Sequence, residues 1–405
     1  MTDKPNLVLL TIDSLRADHC GFMGDDRGLT PNMDRLAEDG LVFERAISPG
    51  PSTLDALPGT FTGVDLAASE ADTRDLCRHH LRATDPIPER LSRLGYETGG
   101  FTANPWTSRY FGFDRGFDHF EDFMAEADGE GDTGDGSRLA YGLRLLKNWS
   151  REAGMVASWD SFYDEVVEWT ESAGEPYFCW VFLVDVHMPY LPVPEFRSQS
   201  RLGTYASNLW LYLTGHDPDV FEGVASDRLR SAYEDTIRYT DDRLGQFVED
   251  VGEETTVVVH ADHGEAFGER GVYGHGPTLS TEQIHVPLFV ANGPSGRVSE
   301  PLSLRRLPDL LTTLADDGDP SSLTGPVATA RNRNPRYTVR GCEWKYVETP
   351  DGDRLTVVDD DGTRPLSNPA LESLASSVVD TWCRGEQDRE TIRAASRTLA
   401  AEHML

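Results

Sequence analysis

Three near-continuous apolar runs, each the length of one strand and each stopping at an acid or an imidazole, constrain this chain more than any other feature. Residues 7–12 run into Asp13, residues 177–184 into Asp185-Val186-His187, and residues 256–259 into Asp262-His263-Gly264-Glu265. Such runs are the pattern of strands covered on both faces, as in a parallel sheet with helices above and below. In open sheets of that kind ligands collect beyond the carboxyl ends of the strands. One Asp at one strand end is commonly a turn or a helix cap. Three ends carrying Asp or His predict a single convergent polar site.

The rest of the chain fits that frame. Thr30-Pro31 through Gly40 reads as a capped helix, Leu41-Val42-Phe43 as a short strand, and residues 88–95 and 96–104 as another helix–strand pair. Alternation of this kind predicts a doubly wound α/β fold, three layers α/β/α around a mainly parallel central sheet. Residues 125–137, rich in Gly and Asp, read as a solvated loop, and 138–175 as helices of an insertion spanning about 121–175. Leu229, Tyr233, Ile237, Thr240, Leu244 and Phe247 recur at helical spacing and predict a long helix over 226–250. The texture changes near residue 299. Strands at 340–347 and 353–358 flank Pro350-Asp351-Gly352, a hairpin signal, and a terminal helix is expected over 384–402. The expected organisation is a catalytic domain over 1–298 and a C-terminal subdomain over 299–405 with a small antiparallel sheet.

Charge excludes several partners. The 405 residues carry 37 Lys plus Arg against 69 Asp plus Glu, a net charge of −32, and Lys4, Lys147 and Lys345 are the only lysines. Without a basic footprint, nucleic acid is not an expected partner, and neither is an anionic membrane surface. Acid spread along the chain, with Arg nearly replacing Lys, resembles the surface of a halophilic, salt-adapted protein. No run approaches the roughly 18 apolar residues of a membrane span, so no membrane insertion is expected. Cys20, Cys77, Cys179, Cys342 and Cys383 are odd in number and lack paired spacing, which predicts reduced thiols and a cytoplasmic protein. Oligomeric state is not legible.

Aspartate oxygens with an imidazole nitrogen suit Mn, Zn, Fe or Ca in different proportions. With that chemistry added, the motifs resemble the sulfatase branch of the alkaline phosphatase superfamily. The likeness runs from Asp13-Ser14-Leu15-Arg16-Ala17-Asp18 through Thr30-Pro31-Asn32, Thr53 to Thr62-Gly63, and Arg115-Gly116-Phe117-Asp118. It continues at Asp185-Val186-His187, Tyr239-Thr240-Asp241, Asp262-His263-Gly264-Glu265 and His275-Gly276, and ends in the Arg340-Gly341 hairpin. It implies one divalent metal held by Asp13, Asp262, His263 and the nucleophile's oxygen. Ser14 stands where calcium-dependent sulfatases have a second Asp, which moves the expectation toward Mn or another transition metal, with Ca, Zn and Fe retained.

Counting back from Thr62-Gly63 puts Thr53 at the position where sulfatases carry the Cys or Ser that becomes formylglycine. Threonine does not follow that conversion, so no formylglycine is expected. The chain resembles instead the branch with an unmodified Thr nucleophile; Ser52 is the rival. His187 is expected to protonate the leaving group, His275 to hold the non-bridging oxygens, and Asn104 to donate to the anion. Arg16 and Asp18 would brace the first loop. Trp106, Tyr190, Trp210 and Tyr212 are candidates for the pocket wall, whereas His19, His119, His260 and His285 read as structural or surface. The implied activity is metal-dependent hydrolysis of a small-molecule or glycan sulfate ester. The alternatives are a phosphodiesterase, phosphonate monoester hydrolase or phosphoglycerol-type transferase, and a non-catalytic anion- or glycan-binding member.

Overall fold

The structure, a computed structural model, describes residues 4–66, 73–123, 157–215, 217, 223–276, 278–332, 336–350, 352–359 and 362–401. The central sheet contains β1 (Asn6–Ile12), β2 (Leu41–Phe43), β3 (Glu97–Thr102), β4 (His119–Asp122), β5 (Tyr177–Leu183), β6 (Thr255–Ala261), β7 (Leu288–Ala291) and β8 (Gly296–Val298). Their order is β8-β2-β7-β6-β1-β5-β3-β4. All neighbours are parallel except those of β7, which runs antiparallel to β6 and β2. The three apolar runs are thus β6, β1 and β5, side by side at the centre. Every residue of β1, β5 and β6 is buried. Their carboxyl ends open on one edge, as the sequence predicts.

Helices cover both faces. One layer holds α1 (Pro31–Asp39), α4 (Tyr163–Ser172), α5 (Arg201–Leu213) and α6 (Val224–Val251), with α6 packed on the other three. The other layer holds α2 (Thr53–Thr62), α3 (Ile87–Arg93) and α7 (Leu307–Ala315), with α7 packed on both partners. The long helix expected over 226–250 is α6. Its apolar positions Leu229, Tyr233, Ile237, Leu244 and Phe247 are all fully buried.

Some local expectations need correction. Thr30 precedes α1 but does not cap it with its side chain. The first-turn N–H groups of Asn32 and Met33 donate instead to Asp241 on α6, at 3.0 and 2.8 Å. The Tyr239-Thr240-Asp241 motif is therefore a clamp between α1 and α6. Gly40 does end α1, though not by a left-handed turn: a side chain there would run into the carbonyl oxygen of Val290 on β7.

The C-terminal sheet is an antiparallel meander of β9 (Ala328–Arg331), β10 (Tyr337–Arg340), β11 (Trp344–Glu348), β12 (Arg354–Asp359) and β13 (Gly362–Pro365). The run 340–347 is not one strand. Gly341 N–H donates to Trp344 O at 2.9 Å, a tight turn that splits the run between β10 and β11. β11 and β12 pair antiparallel, as the hairpin expected between them requires, and Gly352 N–H donates to Thr349 O at 3.0 Å; Asp351 lies outside the described residues. The final helix, α8 (Pro369–Ala401), starts well before residue 384. Asn368 Oδ1 accepts the N–H of Leu371 at 3.1 Å, so Asn368-Pro369 is a cap followed by the residue best suited to a first helical turn. The amphipathic stretch at 139–146 lies outside the described residues.

Candidate active site

Four groups from distant parts of the sequence meet beyond β1 and β6. Asp13 leaves the end of β1, and Asp262 and His263 leave the end of β6. Thr53 is the first residue of α2. One oxygen or nitrogen from each of Asp13, Asp262 and His263 lies within 4.8 Å of the others. His263 Nε2 is 3.5 Å from Asp13 Oδ1, 3.6 Å from Asp262 Oδ2 and 3.3 Å from Thr53 Oγ1. Asp13, Asp262 and His263 are fully buried. Ser52, the alternative nucleophile, turns away and donates to Asp55 Oδ2 at 2.9 Å.

Backbone constraints position these groups. Ser14 adopts a left-handed conformation (φ 65°), unusual for a non-glycine residue, and turns the chain sharply after Asp13. Its N–H faces Asp262 Oδ1 at 3.4 Å and its hydroxyl donates to Asp13 Oδ1 at 3.1 Å. Asn104 Nδ2 donates to Asp13 Oδ2 at 2.7 Å, while its Oδ1 accepts Trp106 N–H at 2.8 Å. Asn104 is thus brought to the site, with one N–H committed to Asp13. Gly264 is required by space: a Cβ there would strike the backbone oxygen of Glu282.

The cluster is electrostatically uncomfortable by itself. His263 Nδ1–H donates to Gly264 O at 2.9 Å, which leaves Nε2 as a lone pair aimed at two carboxylates. Asp262 Oδ2 is buried and has no hydrogen-bond partner. Burial, reinforced by Asp262, raises the Asp13 carboxyl well above its ordinary range. Burial pushes Asp262 up to about 6 and drops His263 to about 3. Two acids that resist ionising and an imidazole that resists protonation share an interior space, with His275 as the neighbouring positive charge. A divalent cation among them would favour both carboxylates in their charged form and take the unprotonated Nε2 as a ligand, so the donor set fits a metal.

A second group lies alongside. The His275 ring centroid is 4.9 Å from that of His263 and 4.9 Å from that of His187. His275 Nδ1 faces Glu265 Oε1 at 3.3 Å, and the other oxygen of this fully buried carboxylate accepts Tyr190 O–H at 2.9 Å. Burial pulls the His275 pKa down, but Glu265 foremost, then Asp13 and Asp262, hold it up at about 9. His187 differs: Nδ1–H donates to Met188 O at 2.5 Å, and burial together with His275 lowers its pKa to about 4.

Glu265 joins the candidate site although the sequence reading did not single it out. Its signal was present: an acid two positions past His263 and just before the apolar pair Ala266-Phe267. Arg16 performs the bracing expected of it. It grips both Asp18 oxygens at 2.8 and 2.6 Å and reaches Glu265 O at 3.1 Å and Glu269 Oε1 at 2.9 Å. The third strand end contributes His187 but not Asp185, whose Oδ1 accepts Trp159 N–H at 3.2 Å outside the cluster. Tyr190 is buried beneath the site, and Trp106 is 47% exposed beside Asn104; Trp210, on α5, is 48% exposed. Tyr212 is half-buried on the same helix. His260 is structural. Its Nδ1–H donates to Ala261 O at 3.0 Å and its Nε2 accepts Thr11 O–H at 2.9 Å, while Thr11 accepts Trp180 Nε1–H.

Comparison with known proteins agrees with this fold. The family model described as Sulfatase matches residues 5–316. An arylsulfatase of Clostridium perfringens is 23% identical over 375 residues, covering 80% of this chain and 77% of the relative. A Vibrio parahaemolyticus protein of the alkaline phosphatase superfamily superposes with a TM-score of 0.60 at 17% identity, over 96% of this chain and 88% of its own. The phosphonate monoester hydrolase of Agrobacterium radiobacter also gives 0.60 at 17% identity, over 99% and 96%.

Proposed function

The chain belongs to the sulfatase family of the alkaline phosphatase superfamily, and from that premise we propose that it hydrolyses sulfate esters with Thr53 as the attacking group. The observation that carries this reading is the Thr53 hydroxyl at the head of α2, 3.3 Å from His263 Nε2 and beside two buried acids. Asp13, Asp262, His263 and Thr53 would hold one divalent ion, Mn or Ca before Zn or Fe. When bound, it supplies Lewis acidity, lowering the pKa of the Thr53 hydroxyl and offsetting charge on the ester oxygens.

The residues then divide the work. Thr53 Oγ1, its proton first given up to solvent, attacks sulfur in line as the bond to the departing alcohol breaks. The N–H groups of Thr53 and Leu54, which precede the bonds of Asp55 and Ala56 to Ser52 O, face the non-bridging oxygens. His275, its Nδ1 side held by Glu265, delivers a proton from Nε2 to the leaving oxygen. His187, neutral and anchored through Nδ1, turns its Nε2 toward the substrate as an acceptor. This gives His275 the proton-donor role expected of His187, because Glu265 faces the one ring and the Met188 carbonyl the other. Water attacking the sulfated Thr53 completes turnover and releases inorganic sulfate.

Among the described residues, the groups touching the cluster are histidines, hydroxyls and Asn104 rather than Lys or Arg. Such a lining suits a singly charged ester, a description that also covers phosphodiesters and phosphonate monoesters. The test is hydrolysis of an aryl sulfate, a phosphodiester and a phosphonate monoester in Mn, Ca and Zn, beside Thr53→Ala. Sulfate-ester hydrolysis lost in Thr53→Ala supports the reading. A full rate in that variant rejects Thr53 as nucleophile, and failure to bind any divalent ion favours a non-catalytic anion-binding protein.

A further inference from the structure

A second site lies at the opposite end of the helix that starts at Thr53. A cavity of about 490 Å³ is walled by Thr62 in the last turn of α2, Arg90 of α3, Ser303, Arg305 and Arg306 ahead of α7, and Thr329 of β9. Since α2 rises about 1.5 Å per residue, the cavity is roughly 14 Å from Thr53 along the helix axis. It shares none of the residues of the metal cluster.

Three guanidinium groups meeting at one cavity are conspicuous in a chain of net charge −32. Arg90 Nη1 pairs with Asp309 Oδ1 at 3.0 Å and its Nη2 donates to Thr62 O at 3.0 Å. Arg306 Nη1 pairs with Asp309 Oδ2 at 2.8 Å. Arg305 donates through Nε to Asp65 Oδ1 at 2.5 Å and through Nη1 to Thr329 O at 2.6 Å and Ser303 Oγ at 3.2 Å. Its guanidinium also lies over the Trp382 ring of α8, 5.0 Å from the centroid. Arg90 Nε also lies 3.6 Å from Asp85 Oδ2, which Arg93 shares at 2.5 Å, so four cations face Asp65, Asp85 and Asp309 and leave one positive charge in excess. One donor is also left over: Arg305 Nη2 is buried and has no partner. A buried charged donor without an acceptor carries the whole cost of its lost hydration, and native structures rarely leave one so.

We propose that this cavity binds an oxyanion, a sulfate or phosphate group either free or carried on a small organic molecule. The fixed plane of Arg305, locked by Asp65, Thr329 and Trp382, meets an anion without further loss of side-chain freedom. Ser303 Oγ accepts from Arg305 and retains its own proton for a ligand oxygen. Asp309 stays between Arg90 and Arg306, so the anion answers the surplus charge instead of competing for paired groups. The site stands independently of the catalytic reading, because Arg305 and Arg306 touch none of Asp13, Thr53, Asp262 or His263.

Equilibrium dialysis of radiolabelled sulfate against the intact chain, at fixed ionic strength, compares the parent with Arg305→Gln and Arg306→Gln. The expected result is a binding event that Arg305→Gln abolishes and Arg306→Gln weakens at least about five-fold, with ester hydrolysis unchanged in Arg306→Gln. Arg306 is 54% exposed in its side chain, so its variant folds and decides the matter if Arg305→Gln does not. Displacement by inorganic phosphate at lower concentration than by a sulfated monosaccharide marks a free oxyanion as the ligand; the reverse order marks a conjugated one. No sulfate binding, or binding indifferent to Arg306→Gln, overturns the proposal.

Discussion

Replacing Glu265 by Gln tests the proton-donor assignment with little change of shape. The variant keeps an acceptor for Tyr190 O–H but removes the charge facing His275 Nδ1 at 3.3 Å. His275 sits at about 9 against an ordinary 6.5, with Glu265 the leading cause that raises it. A cation on Asp13 and Asp262 cancels much of their contribution, which leaves Glu265 as the main support of the charged ring. A donor with a raised pKa works below that pKa and fails as pH rises through it. Losing Glu265 therefore moves the alkaline limb of the pH–rate profile down by about 1–2 units. At pH 8 the rate falls about two- to ten-fold, while below about pH 6 the variant approaches the parent. The assay is kcat against pH on an aryl sulfate with saturating metal. An alkaline limb that does not move refutes the assignment of His275 as donor.

Asn104→Ala removes the amide that fixes Asp13 Oδ2 and should weaken metal affinity about 10- to 100-fold, read by competition with a chelating dye. Gly264→Ala drives a Cβ into Glu282 O and should lower urea stability by about 1–3 kcal/mol while disturbing His263; an unchanged midpoint would contradict the packing. Burial holds His260 at about 4, below its ordinary 6.5. The unfolded chain therefore binds the proton first, and stability present above about pH 6.5 declines as pH falls toward 4, by on the order of 3 kcal/mol if fully expressed. In His260→Gln the unfolding free energy should depend less steeply on pH across that window, and an identical slope would sink the argument.

Much of this arrangement was legible because burial on both faces leaves a strong trace in sequence. β1, β5 and β6 are apolar almost throughout, and Asp13, Asp262, His263 and His187 just beyond their ends meet at the site, whereas Asp185 does not. Thr53 was found by its distance from Thr62-Gly63 rather than by any pattern of its own. Contacts that depend on the folded chain were not legible. Asp241 caps α1 across two hundred residues, a role local spacing cannot display. Asn104 was expected at the anion, yet its nearest obligation is Asp13, reachable only when β3 and β1 lie in one sheet with β5 between them. His187 and His275 look equivalent in sequence; Met188 O and Glu265 make them different in the fold. The basic cavity behind α2 draws Arg90 and Arg305 from segments far apart, each unremarkable in its own neighbourhood.

The central claim is that Asp13, Asp262 and His263 hold one cation beside the Thr53 hydroxyl. Metal content per chain, measured by plasma mass spectrometry on the parent and on Asp262→Asn after dialysis against Mn, Ca and Zn, tests it most directly. The account predicts one divalent ion per parent chain and a loss of that ion in Asp262→Asn, with ester hydrolysis lost alongside it. Full hydrolysis by a chain stripped of divalent ions, or undiminished occupancy in Asp262→Asn, would contradict it.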